Sequence, residues 1–281
     1  MSTCLKFARN KLPFAWMAAD PVARALLAVI LLLAASAPSA AAWVPPPQPD
    51  PAAILAEAEA DTAAKHYQNA LAKLVWFHEH ALDYAQGLYG VRLSYALNAW
   101  KSLGRVYPPA LEKLRAERDA AADHVRRGDG ARGYFNEVVA IDRALGDDAA
   151  TRELFVWLDA NRNEIAAQVY DIAQSSLVRA GDYGLCGKYL QPQKALQAII
   201  DQYRVVTQLA ATSERPEEMK TFAQKTLANK TGLLVALLVQ NHRKDEANAV
   251  AAQAVKEWGD AGFRQQLIDA LSGQVPQPWP L

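Results

Sequence analysis

The placement of proline constrains this chain more than any other feature. Prolines crowd into residues 43–51 (WVPPPQPDP) and 274–281 (QVPQPWPL), whereas between Ile54 and about Ser272 they are scarce, and alanine and leucine dominate. Proline fixes φ and removes a backbone donor, so both ends are expected to be non-helical and the interior is free to form helices. No interior segment sustains the alternation of Val, Ile and Thr that a half-buried strand requires. The apolar residues recur at helical spacing instead, in segments of roughly 12 to 20 residues. The expected fold class is therefore all-α. About 10 to 12 helices joined by short connections make antiparallel pairs, which stack as an open solenoid or close into a bundle. Both arrangements use the same periodicity.

Glycine, proline and polar clusters mark the expected breaks at Lys65-His66-Tyr67, 86–90, Tyr107-Pro108-Pro109, 128–133, Gly146-Asp147, Gly181-Asp182-Tyr183, Gln191-Pro192, 212–216, Asn241-His242 and 259–262. The expected organisation is a signal peptide at 1–42, a proline-rich linker at 43–53, a helical repeat domain at 54–273 and a proline-rich tail at 274–281.

The signal reading rests on residues 25–35, ALLAVILLLAA, which follow Arg24 and lead into APSAAAW, with Ala40 and Ala42 supplying an A-x-A site before Trp43. An apolar run of this length makes a helix of roughly 16 Å, about half of a bilayer's hydrocarbon core. Export to the periplasm is expected, with anchorage in the inner membrane by residues 25–44 as the alternative. The residues ahead of Met17 make a long leader, which points to Met17 as the start. Cleavage after Ala42 removes Cys4 and leaves Cys186 as a lone thiol, so packing must hold the fold together without an intramolecular disulfide. Loss of Lys6, Arg9, Lys11, Arg24 and Asp20 turns 30 basic and 30 acidic residues into 26 and 29. A net charge of −3 without a basic stripe argues against nucleic acid as a partner.

The segment Trp76-Phe77-His78-Glu79-His80 looks at first like chemistry. On a helical wheel, however, His78 falls in the apolar stripe of Leu71, Leu74, Val75 and Leu82, and His80 lies 200° away. Zinc-binding histidines on one helix need i, i+4 spacing, so the expected role of His78 is a satisfied core residue. Trp76, His80 and Asp83 form an aromatic and polar ridge on the opposite side. Residues 128–133 spell GxGxxG, but a helical segment stands where a dinucleotide site needs a strand, so these glycines are expected to end one helix and start the next. Cys186 is expected to pack as a small residue near a turn. No catalytic constellation, metal site or cofactor motif is legible.

Several hairpins carry a further pattern. In Ala58…Tyr67-x-x-Ala70-x-x-x-Leu74 a small residue lies in the first helix, an aromatic at the turn and a small residue at the start of the second. Arg179-Ala180-Gly181-Asp182-Tyr183 has the form of another such turn, and Lys244-x-x-Ala247-x-x-x-Ala251-x-x-Ala254 that of another second helix. The pattern resembles the tetratricopeptide repeat. It lacks the family's tryptophan-leucine-glycine cluster, and residues 76–119 are also similar to uncharacterised exported bacterial proteins of this type. The resemblance implies a concave groove that binds a peptide or protein, with Arg92, Tyr95 and Asn98 of an expected helix at 90–103 as its hydrogen-bonding residues and Trp76 and His80 beside them. The alternatives are a helical envelope lyase or hydrolase, and a structural subunit that buries Trp76 or Trp279 in an oligomer.

Overall fold

The computed structural model describes residues 43–279, so the signal-like segment, Cys4 and both start sites lie outside the described residues. Thirteen α-helices and one 3-10 turn, with no strand, make up the described residues, and all the helices belong to one compact unit, Val44–Leu281. They are α1 (Pro51–Ala63), α2 (Tyr67–Tyr84), α3 (Tyr89–Arg92), α4 (Tyr95–Gly104), α5 (Pro108–Arg127), α6 (Ala131–Leu145) and α7 (Asp148–Asn161), followed by α8 (Asn163–Arg179), α9 (Tyr183–Tyr189), α10 (Pro192–Ala210), α11 (Pro216–Gln240), α12 (Lys244–Glu257) and α13 (Ala261–Leu271). No helix among them is long and apolar enough to cross a membrane.

Proline starts these helices and interrupts none. Pro51, Pro108, Pro192 and Pro216 each open one, at the position where a missing N–H costs nothing. The Asp50 carboxylate accepts from Ala52 N at 2.9 Å, so the first helix begins three residues earlier than the expected boundary at 54. Gly128, at φ +90°, closes α5 in the left-handed conformation, and Gly130, at φ +56°, opens α6. The GxGxxG letters are thus a helix end followed by a helix start.

Two breaks depart from expectation. The helix expected over 90–103 is interrupted at Leu93-Ser94, where the Ser94 hydroxyl donates to Gly90 O at 2.6 Å and competes with the helix's own bonding. A second break falls at Arg162, between α7 and α8.

Helix contacts stay close in sequence. α1 packs on α2, α2 on α4, α5 on α6, α6 on α7 and α8, and α10 on α11 and α12. Ala58 and Ala70 are fully covered in the first pair, and Ala247, Ala251 and Ala254 are buried along α12. Two apolar cores result. The first gathers Leu74, Phe77, Leu97, Trp100 and Leu103 with the start of α5 and the end of α6. The second runs from the other halves of α5 and α6 to α13, so the α5–α6 hairpin belongs to both. Thr231 to Leu238 are all buried, because α11 is covered by α9, α10, α12 and α13. A helix that is apolar all round has to be surrounded in this way.

Asp142 is fully buried in α6, where its carboxylate accepts from Thr151 Oγ1 at 2.7 Å and from Arg118 Nη1 at 3.3 Å. Burial pushes the carboxyl up to about 6, against the opposing pull of Thr151 and Arg118. Between about pH 4 and pH 6 the folded chain therefore holds a proton that the unfolded chain has released. Stability falls as pH rises through that window, by up to ~3 kcal/mol from this group. Urea unfolding at pH 5 and pH 7 should give a higher midpoint at pH 5, and Asp142→Asn should remove most of that difference.

Candidate functional site

The surface expected from the sequence is only partly assembled. The Trp76 and His80 rings lie 5.8 Å apart, and Tyr84, one turn further, is 5.7 Å from Trp76. His80 Nδ1 is 3.3 Å from Asp83, so the ridge exists on α2. Tyr95 and Asn98 are exposed on α4, and the Tyr95 hydroxyl donates to Glu59 at 2.8 Å. Arg92 does not share their face. The break at Leu93-Ser94 separates it from α4, and its guanidinium turns inward instead.

There Arg92 Nε donates to His78 O at 2.5 Å and Nη2 to Glu137 Oε2 at 2.7 Å, while His78 Nε2 lies 2.8 Å from Glu137 Oε1. The network assigns the imidazole proton to Nε2. All three side chains are at least seven-eighths buried, and the Trp100 indole stands edge-on to His78 at 5.8 Å. Burial pushes the Glu137 carboxyl up, but hydrogen bonds and charges from His78 and Arg92 outweigh it and hold the group below the ordinary glutamate value. His78 is thus a satisfied core residue at Nε2, while its Nδ1 is buried without a hydrogen-bond partner. The trio lines a cleft of about 260 Å³ together with Tyr89, Gly133 and Tyr134. The sequence reading found His78 and Arg92 but missed Glu137, which lies 59 residues from His78.

Among the described residues no group of three or more His, Cys, Asp or Glu side chains is placed to hold a metal. The three arginines around the GxGxxG turn are each paired, Arg126 with Asp123, Arg127 with Asp129 and Arg132 with Asp171.

A cleft of about 610 Å³ opens between α8 and α10, over the second core. Its floor is aromatic. Tyr170 and Tyr189 stack with centroids 5.8 Å apart, and Phe155 lies 6.3 and 5.4 Å from them. Along its sides lie Gln168 and Gln174 of α8, Gln191 at the start of α10, and Lys194 and Ala198 one and two turns on. Gln174 Nε2 donates to the Tyr170 hydroxyl at 2.8 Å, and Arg132 closes on Asp171 through two bonds of 2.6 Å. Burial raises the Tyr170 and Tyr189 phenols well above the ordinary tyrosine value and pushes the Cys186 thiol beneath them up to about 12, against a hydrogen bond from Tyr170. None of these groups ionises near neutral pH. The sequence held no signal for this cleft, because its glutamines are ordinary polar residues until α8 and α10 come together.

Compared with known proteins, the chain matches no family model, no curated protein and no solved structure.

Proposed function

We propose that the chain is a non-enzymatic binding scaffold of the bacterial cell envelope, a tetratricopeptide-like stack of helix pairs that takes a peptide or protein segment in the α8–α10 cleft. The carrying observation is the chemistry of that cleft. It offers glutamine amides beside an aromatic floor, with the Lys194 ammonium at its edge, and its acid–base pair, Arg132 with Asp171, is closed on itself. A glutamine amide carries both a donor and an acceptor, which match the two groups of a peptide backbone, and aromatic rings accept side chains without demanding one in particular. The near-neighbour packing of the helices supports the stack. The apolar segment at 25–35 and its A-x-A site support export to the periplasm.

The test is capture from envelope extract by the wild type and by Ala198→Trp, which fills the cleft from an exposed position on α10. A segment retained by the wild type and held at least tenfold more weakly by the variant supports the reading. A partner held equally by both sinks the cleft assignment.

The second reading, an envelope lyase or hydrolase, has one observation in its favour, the meeting of His78 and Glu137 beside the 260 Å³ cleft. General acid–base work needs a group that titrates near the working pH, whereas Glu137 is held ionised by two partners. Turnover with a bell-shaped pH profile, lost in His78→Asn, would favour this reading.

A further inference from the structure

The proline-rich segment 273–279 is seated on α11 by backbone and ring contacts. Asn229 grips it at both ends of its amide, with Nδ2 donating to Gln277 O at 2.9 Å and Oδ1 accepting from Trp279 N at 2.8 Å. Gln240 Nε2 donates to Gly273 O at 2.8 Å. Phe222 offers its ring to Trp279, with centroids 5.4 Å apart. Pro278 is buried, and Pro276 passes Gly232 at a distance where an added Cβ would just touch the ring, 3.8 Å away. Phe222, Asn229, Gly232 and Gln240 fall on one side of α11, spaced over 18 residues, or roughly 27 Å of helix. Residues 273–279 reach at most about 25 Å, so they run as an extended segment antiparallel to the helix, and the side chains of Gln240 and Trp279 close the rest of the distance. Proline holds such a segment extended in advance, so little order is lost when it docks.

We infer that this face of α11 is a recognition site for extended proline-rich segments of the Val-Pro-x-Pro-Trp type, occupied here by the chain's own tail. The grip on the backbone is general, because Asn229 reads a carbonyl and an N–H two residues apart. The grip on side chains is particular, because it requires prolines that fit over Gly232 and an aromatic ring for Phe222. A cleft of about 410 Å³ lies between Trp279 and the first three turns of α11, lined by Glu217, Thr221 and Lys225. The same Val-Pro-x-Pro-x-Pro order occurs at 44–49, VPPPQP, where glutamine replaces the ring. The occupant in trans is a proline-rich segment of a partner protein that displaces the tethered tail. This site is separate from the α8–α10 cleft and stands or falls independently of it.

The probe is a fluorescein-labelled peptide of residues 274–281, QVPQPWPL, titrated by anisotropy into the full chain. A tethered tail competes at an effective concentration on the order of millimolar. Trp279→Ala, which weakens the tail in cis, should therefore bind the peptide at least tenfold more tightly than the wild type. Adding Asn229→Ala to that variant should lower the affinity at least tenfold. Adding Phe222→Ala instead, at a partly exposed position that leaves the fold intact, should do the same. A control peptide of residues 43–51, which lacks the ring in register, should bind at least tenfold more weakly than QVPQPWPL. Absence of saturable binding to Trp279→Ala, or binding indifferent to Asn229 and Phe222, would overturn the site and leave the tail a structural cap. Equal binding of the two peptides would overturn its aromatic specificity.

Discussion

Replacing Arg92 by alanine is expected to cost about 3 to 5 kcal/mol of folding stability, because it strands the buried Glu137 carboxylate with His78 alone. For a chain of this size that corresponds to a fall in Tm on the order of 10 °C, read by thermal unfolding at pH 7. If Arg92 were a solvated groove residue, the change would stay within about half a kcal/mol. The experiment therefore separates a structural from a ligand-binding Arg92. It also warns that a binding assay with Arg92→Ala reports on folding as much as on contact. Tyr95→Ala and Asn98→Ala, at exposed positions outside this network, should leave the melting curve nearly unchanged and are the proper probes of that surface.

Trp100→Ala is expected to cost about 3 to 5 kcal/mol by opening a cavity in the first core. Trp100 is 1% exposed, and its Nε1 donates to Ala110 O at 2.7 Å, which ties α4 to the start of α5. Trp100→Phe separates the two contributions. It keeps most of the packing but removes the indole donor from an Ala110 carbonyl that still accepts within α5, so a loss of about 0.5 to 1.5 kcal/mol is expected. Urea unfolding of the two variants checks the order. Equal losses would mean that the hydrogen bond, not the volume, sets the cost.

Much of the helical architecture was legible because backbone chemistry alone decides it. Pro108, Pro192 and Pro216 cannot donate an N–H, so each reads as a break between helices, and a glycine such as Gly146 reads as another. The break at Ser94 was not legible, because Leu93-Ser94-Tyr95-Ala96-Leu97 has ordinary helical composition and the decision lies in one serine hydroxyl bonding back to Gly90 O. That single break removes Arg92 from the face that the wheel had given it. Glu137 was missed for a different reason, since its partners come from helices far away in the chain. Its position in α6 among Phe135, Val138, Val139 and Ile141 was the available signal, because a charge set among apolar residues needs a buried partner. The unbroken apolar run from Gly232 to Val239 likewise marks the part of α11 that is covered on all sides. The α8–α10 cleft left no trace in the sequence, because a juxtaposition of exposed glutamines is a property of tertiary packing alone.

The central claim is that the α8–α10 cleft holds a peptide or protein segment. Site-specific photo-crosslinking tests it most directly. A photoreactive phenylalanine analogue is placed at Gln191, on the cleft, and in a second protein at Arg115, an exposed position on α5 outside the residues that line it. In envelope extract the account predicts a discrete protein adduct from position 191, none from position 115, and loss of the adduct when Ala198→Trp is added. Adducts of equal yield from both positions, or no adduct from 191 in a folded protein, would contradict it.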